Sequence, residues 1–220
     1  MELLRTAMEA DPAAPRLTIY NETTGTRLDF SALTLDNWAA KVGNMLLEEF
    51  DLEPGDTIAI DLAPSWQATA ISLGALAAGM SVHFGSDTAD VLFTSLGYER
   101  DDRHPDVAIV TNDPFGRGVA EIGAELPEGC VDFGPTVRFY GDQFYEPTAP
   151  LADLLNIDVS QVKQGERLLS TGWHNWDEFV RHVLVPIATG GSAVVVSGPT
   201  ATERLEKIAQ AERITERVAP

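Results

Sequence analysis

Three side chains able to do metal or acid–base chemistry stand at helical intervals late in the chain: His174, Glu178 and His182, at i, i+4 and i+8. On one helix face, two imidazoles and a carboxylate at that spacing are metal-capable ligands. Three ligands spread over two turns rarely converge on one ion, and Asp177 with Arg181 makes a further i, i+4 pair. A solvated charged face is therefore expected, and no metal is assigned. Gly116-Arg117-Gly118 follows the apolar run VAIV and precedes an expected helix, a position where backbone amides hold phosphate. The glycine fingerprint is incomplete, because Glu121 takes the third glycine place and its carboxylate would oppose a diphosphate. No Gly-x-Ser-x-Gly string occurs, and His83 and His104 are isolated, so no nucleophilic triad and no catalytic residue are expected.

The elements that would position these residues centre on Glu53 to Gly85. Pro54-Gly55-Asp56 is a turn, Thr57 to Leu62 a β-branched apolar run, and Ala63-Pro64-Ser65 a stop followed by a helix cap at Trp66. Small residues, Ala68, Ala70, Ala75, Ala77 and Ala78, surround Leu73 and Leu76 until Gly79 ends the helix and Ser81 to Phe84 returns as a strand. This is a βαβ unit with parallel strands. Lys163 to Gly198 repeats it: Gly55-Asp56 matches Gly165-Glu166, Ile58 matches Leu168, Trp66 matches Trp176, and Ala78-Gly79-Met80-Ser81 matches Thr189-Gly190-Gly191-Ser192 with one residue inserted. The order of turn, strand, Trp-led helix, glycine stop and strand predicts two pseudo-repeated units.

Around them the spacing predicts a short helix in Met1 to Ala10, a hairpin of Leu17 to Tyr20 with Thr26 to Phe30, and a core-facing helix capped by Thr34. Strands are expected at Ala89 to Thr94 and Asp106 to Thr111, a helix at Val119 to Leu126, and loop or edge structure from Pro127 to Pro150. A capping box of Thr200 and Glu203 should start a helix running to about Arg213, before a last short strand in Ile214 to Val218.

With 220 residues and 44% hydrophobic content the chain suits a single α/β domain, 1–220, of two packed halves divided near 125 and 126. The net charge of −19 argues against nucleic acid or an anionic membrane as partner. Cys130 is the sole cysteine, which excludes an intrachain disulfide and fits a cytoplasmic site; the first ten residues lack the apolar core of a leader.

The order of elements resembles the N-terminal domain of the adenylate-forming superfamily: acyl-CoA synthetases, adenylation domains and luciferases. The resemblance is carried by LTLDNWAAKVGNMLLEEFDLEPGDTIAIDL, which is similar to the family's helix and Gly-Asp strand, by LGALAAGMSV, by VLVPIATGGSAVVV and by ERITERVAP. It implies an α/β fold of mainly parallel sheet layers with helices on both faces, plus the N-terminal helix and hairpin. It also implies that Trp173-His174 occupies the place of an aromatic-His pair near the family's acyl and nucleotide pocket. The family's phosphate loop, a Ser/Thr/Gly-rich run ending in Pro-Lys-Gly, does not lie between the two units. Lys41, Lys163 and Lys207 are the only lysines, and Ser170-Thr171-Gly172 lacks the trailing Pro-Lys and reads as a turn. The chain stops at Pro220, before the family's later nucleotide motifs and catalytic domain.

The expectation is thus a noncatalytic acyl-CoA synthetase-like module with no cofactor, binding a small acyl or aryl ligand or a protein partner; self-association as a homodimer is left open. The alternative is one part of a split ligase completed by another chain. Its crevice would lie at the carboxyl ends of the strands, lined by Ser65, Trp66, Asn112, Thr171, Trp173 and His174.

Overall fold

A computed structural model describes residues 1–99 and 103–218. Ala219 and Pro220, the end of the ERITERVAP stretch and of the chain, lie outside the described residues. The chain divides into two compact units: Met1–Asp36 with Ala149–Pro220, and Asn37–Thr148. These are not the halves expected near 125 and 126. The reason is a long-range pairing invisible in local sequence. Strand β1 (Pro15–Asn21) pairs in parallel with β9 (Ser192–Ser197), which draws the N-terminal segment to the C-terminal one.

The first unit holds α1 (Arg5–Ala10), β1, β2 (Thr26–Ser31), α5 (Leu151–Leu154), β8 (Arg167–Ser170), α6 (Trp176–Phe179), a π-helical turn Val180–Leu184, α7 (Val185–Ala188), β9, α8 (Thr202–Ala211) and β10 (Glu216–Arg217). Its sheet runs β10-β8-β9-β1-β2, parallel except for the β1–β2 hairpin. Every residue of β9 is buried, as for a strand covered on both faces. Val194 and Val196 join Tyr20 and Leu169 against Ile208 and Ala209 of α8. Ala193 and Val195 point the other way, where the crossover formed by the π turn and α7 touches β9. Arg16 is buried, and its guanidinium donates to the carbonyls of Ala7 (3.1 Å), Gly190 (2.6 Å) and Gly191 (3.2 Å), tying the end of α1 to the start of β9.

The second unit holds β3 (Thr57–Asp61), α3 (Trp66–Ala77), β4 (Ser81–Phe84), β5 (Val91–Thr94), β6 (Asp106–Ile109), a 3-10 turn Ala120–Ile122, β7 (Val131–Asp132) and α4 (Phe133–Phe139). The unit boundary falls inside α2 (Ala32–Glu48). Its sheet, β4-β3-β5-β6-β7, is entirely parallel. On one face Phe93 meets Phe50 and Phe133 edge-on, at 6.1 and 6.0 Å. On the other, Ala59, Leu92, Val107 and Ile109 are covered by Val119, Leu126 and Cys130.

The fold is the expected mixed α/β layering, and the two βαβ units repeat each other closely. Thr57 pairs with Ser81 as Arg167 pairs with Ser192, and the amide of Ser81 donates to Asp56 as that of Ser192 does to Glu166, both at 2.8 Å. Trp66 and Trp176 each open their helix behind a side-chain cap, Ser65 and Asn175. The inserted residue is taken up by the π turn, where one extra residue fits between fixed strand ends by widening a single turn.

Four local expectations are corrected. Ser31, not Thr34, caps α2, its hydroxyl accepting from the Thr34 amide at 3.1 Å. Val119 to Leu126 forms only the 3-10 turn, because Gly123 turns left-handed (φ 78°) and Pro127 follows. Helix α4 lies inside the stretch read as loop. Helix α8 starts at Thr202 without a side-chain cap, since the Thr200 hydroxyl bonds Gly198 instead.

Close packing of α2 on α3 depends on Gly74. A Cβ there would lie 2.5 Å from Val42 Cβ and 2.9 Å from the Ala39 carbonyl. Gly74→Ala should therefore destabilise by about 2 kcal/mol despite alanine's better helix propensity. Chemical denaturation checks this; a variant as stable as the parent would show that the helices are not held at this distance.

Candidate functional site

The six expected crevice residues divide between the units. Ser65, Trp66 and Asn112 follow the carboxyl ends of β3 and β6 in the second unit; Thr171, Trp173 and His174 follow β8 in the first. Asn112, Thr171 and His174 are exposed and Ser65 is half-buried. The two tryptophans are core residues. Trp66 is 4% exposed, packs on Trp38 at 4.8 Å, and leaves room only for a glycine at 116. Trp173 is 3% exposed and packs on Phe179 at 4.8 Å. Ser65 is committed to its cap, accepting from the Ala68 amide at 3.2 Å.

The loop after β6 is closed by its own carboxylates. Buried Asp113 accepts through Oδ1 from the amides of Phe115 (2.9 Å) and Arg117 (3.2 Å), and through Oδ2 from the Arg117 guanidinium at 2.7 and 3.0 Å. Glu121 accepts from the Gly118 amide at 2.6 Å and from Arg138 at 2.5 Å. Asp132 accepts from the Val119 amide at 2.8 Å. The Arg117 side chain holds the Asp113 carboxyl below its ordinary range, and the Gly118 amide, with Arg138, does the same for Glu121. The amides of residues 117, 118 and 119, which a phosphate at Gly116-Arg117-Gly118 would need, thus already serve carboxylates. Gln67, buried in α3, donates to the carbonyls of Thr111 (3.2 Å) and Asp113 (2.9 Å) and fixes the loop to the helix.

The spaced histidines do not converge. His174 lies before α6, and Glu178 Oε2 accepts from its amide at 2.8 Å and faces its Nδ1 at 3.1 Å. His182 instead donates from Nδ1 to the Gly172 carbonyl at 2.7 Å, which leaves Nε2 as the acceptor of that tautomer. Among the described residues no group of three His, Cys, Asp or Glu could hold a metal ion, and no helix is long and apolar enough to cross a membrane.

Sequence reasoning missed two features of the first unit. One is a groove of about 620 Å³ along the crossover, lined by Leu154, Leu155, Trp176, Asp177, Val180 and Arg181. The spacing of Trp176 and Val180 at i, i+4 was a signal for one wall; Leu154-Leu155, over twenty residues earlier, could not be tied to it from sequence. The other is a half-buried ionic knot in which Glu212 accepts from Tyr20 OH (2.6 Å), Arg27 Nε (2.8 Å) and Arg167 Nη2 (2.5 Å).

No protein-family model matches the chain. In fold it is similar to the acyl-CoA synthetase of Brucella canis, with a TM-score of 0.72 and 18% identity over 96% of this chain but 46% of that one. It is similar also to the acetoacetyl-CoA synthetase of Streptomyces lividans, with a TM-score of 0.68 and 18% identity over 97% of this chain and 41% of the other. The chain spans less than half the length of these two enzymes, and at such identity the likeness concerns the fold: the α/β layering of acyl-CoA synthetases read from the motifs is present. In sequence it is 33% identical over 235 residues to a TIGR03089 family protein of Mycobacterium tuberculosis, covering 97% of this chain and 95% of that one. The chain belongs to the TIGR03089 family.

Proposed function

We propose that the chain is a noncatalytic acyl-CoA synthetase-like module that binds a small acyl or aryl ligand at the carboxyl ends of its strands. The observation that carries this reading is the occupied loop after β6. An adenylating enzyme must clamp a triphosphate with backbone amides and a cation. Here Asp113, Glu121 and Asp132 take the amides of residues 117 to 119, and Arg117 and Arg138 are paired to two of those carboxylates. Of the three lysines, Lys41 donates to the Tyr140 carbonyl at 2.7 Å, Lys163 pairs with Glu166, and Lys207 is exposed on α8, in the other unit from this loop. The acidic surface and lone cysteine support a cytoplasmic module without nucleic-acid or membrane partners.

Pyrophosphate exchange with ATP, magnesium and a panel of carboxylates tests the reading. No exchange is expected from the isolated chain, while millimolar acyl or aryl carboxylates should raise its melting temperature. Exchange by the chain alone would overturn the proposal, and exchange appearing only with a second polypeptide would replace it by a split ligase. Silence in both assays would favour a protein-binding role.

A further inference from the structure

The groove on the crossover of the second βαβ unit shares no lining residue with the expected strand-end crevice. Its volume, about 620 Å³, lies within the roughly 300–1,000 Å³ range of small-ligand pockets. Leu154, Leu155, Trp176 and Val180 give it an apolar wall. At its rim Arg181 donates from Nε to the Asp177 carbonyl at 3.2 Å, which orients the guanidinium. Among the described residues neither Nη has an acceptor. An oriented fork with both outer nitrogens open matches a two-oxygen anion. Asp177, exposed on the same rim, would repel a second negative charge. The π turn, the one-residue difference between the two repeats, starts at Val180 and carries Arg181. Such turns recur at functional sites because the widened turn re-aims side chains.

We propose that this groove binds a monoanionic amphiphile, with its carboxylate or sulfonate on Arg181 and its apolar body on Trp176, Val180, Leu154 and Leu155. The site does not depend on the strand-end reading above. It predicts a preference for monoanions over dianions of the same chain length, and affinity rising about threefold for each added methylene until the groove is filled.

The test uses the chain labelled with 5-fluorotryptophan, with the Trp176 resonance assigned from Trp176→Phe, and octanoate, octanesulfonate, octyl phosphate, octylammonium and 1-octanol as probes in fluorine NMR titrations. Octanoate and octanesulfonate should shift the Trp176 signal saturably, and about tenfold more tightly than 1-octanol. Arg181→Gln, at an exposed position, should bring both anions to the affinity of the alcohol while leaving the other three tryptophan signals in place. Leu154→Ser should weaken all the probes together. The proposal fails if the Trp176 signal does not saturate, if Arg181→Gln binds octanoate as the parent does, or if octyl phosphate or octylammonium binds as tightly as octanoate. A ligand acting at the strand ends would keep its affinity in Arg181→Gln and Leu154→Ser, so the two readings fail separately.

Discussion

Gly191→Ala is expected to destabilise the chain by at least about 3 kcal/mol, enough to remove much of the soluble yield. A Cβ on Gly191 would collide with the carbonyl oxygen of Glu166 and lie 2.7 Å from its amide nitrogen. These are backbone atoms leading into β8, so no rotamer change relieves the contact. The same peptides are engaged: the Gly191 amide donates to Pro186 at 2.8 Å, its carbonyl accepts from Arg16, and the Glu166 carbonyl accepts from Ser192. Moving them apart would break the start of the β8–β9 pairing. Gly123→Ala is the control. Gly123 has a left-handed φ of 78° with nothing within 4 Å of a Cβ, so it should cost only the conformational strain of about 1 kcal/mol. Urea denaturation of both variants separates the two causes; equal losses would mean that steric contact at Gly191 is not what requires a glycine.

The position equivalent to Gly191 in the first βαβ unit is Met80, so the repeat is an architecture whose close contacts differ between copies. That architecture was legible because its punctuation is local: a glycine followed by an acidic residue, a polar cap before tryptophan, a glycine stop. The extra residue was legible too, but not that it would form a π turn at Val180–Leu184 instead of lengthening a loop. Helix α4 escaped notice because Gly134 and Pro135 stand in its first turn; Gly134 is needed there, since a Cβ would lie 2.6 Å from the Gly116 carbonyl. The division into units escaped because β1 and β9 meet across most of the chain.

For the candidate site the sequence located strand ends correctly but could not tell which side chains face solvent. Ser65, Trp66 and Asn112 were named from position after a strand and Trp173 also from the resemblance, yet both indoles are packing residues. The carboxylates of Asp113, Glu121 and Asp132 were individually visible. Their common task of filling the amides of one loop needed the approach of α4 to that loop, which no local pattern encodes.

Glu212 gives the prediction with the clearest pH signature. Its carboxylate is 8% exposed and accepts from three donors brought by β1, β2 and β8. Burial alone would raise its pKa, but hydrogen bonds from Arg27, Tyr20 and Arg167 outweigh burial and bring it from the ordinary 4.5 to about 2. A carboxyl depressed in the folded state contributes stability that is complete above its unfolded pKa and lost as pH falls through the folded one. A depression of this size corresponds to at most about 3 kcal/mol, and solvent screening at the exposed Arg27 reduces it to about 1–2 kcal/mol. Glu212→Gln should therefore cost about 1–2 kcal/mol at pH 7, because Arg27 and Arg167 lose the shared charge while both remain tied to the sheet, Arg27 to Asp29 and Arg167 to Thr18 and Ser192. The difference between parent and variant should hold from pH 7 down to about 4.5 and close between there and about 2. Taking the difference removes the titration of the other acidic residues, which both proteins share. Denaturation of the pair at stepped pH reads it directly, and a gap that stayed constant down to pH 2.5 would show that the Glu212 charge contributes nothing and that only its shape matters.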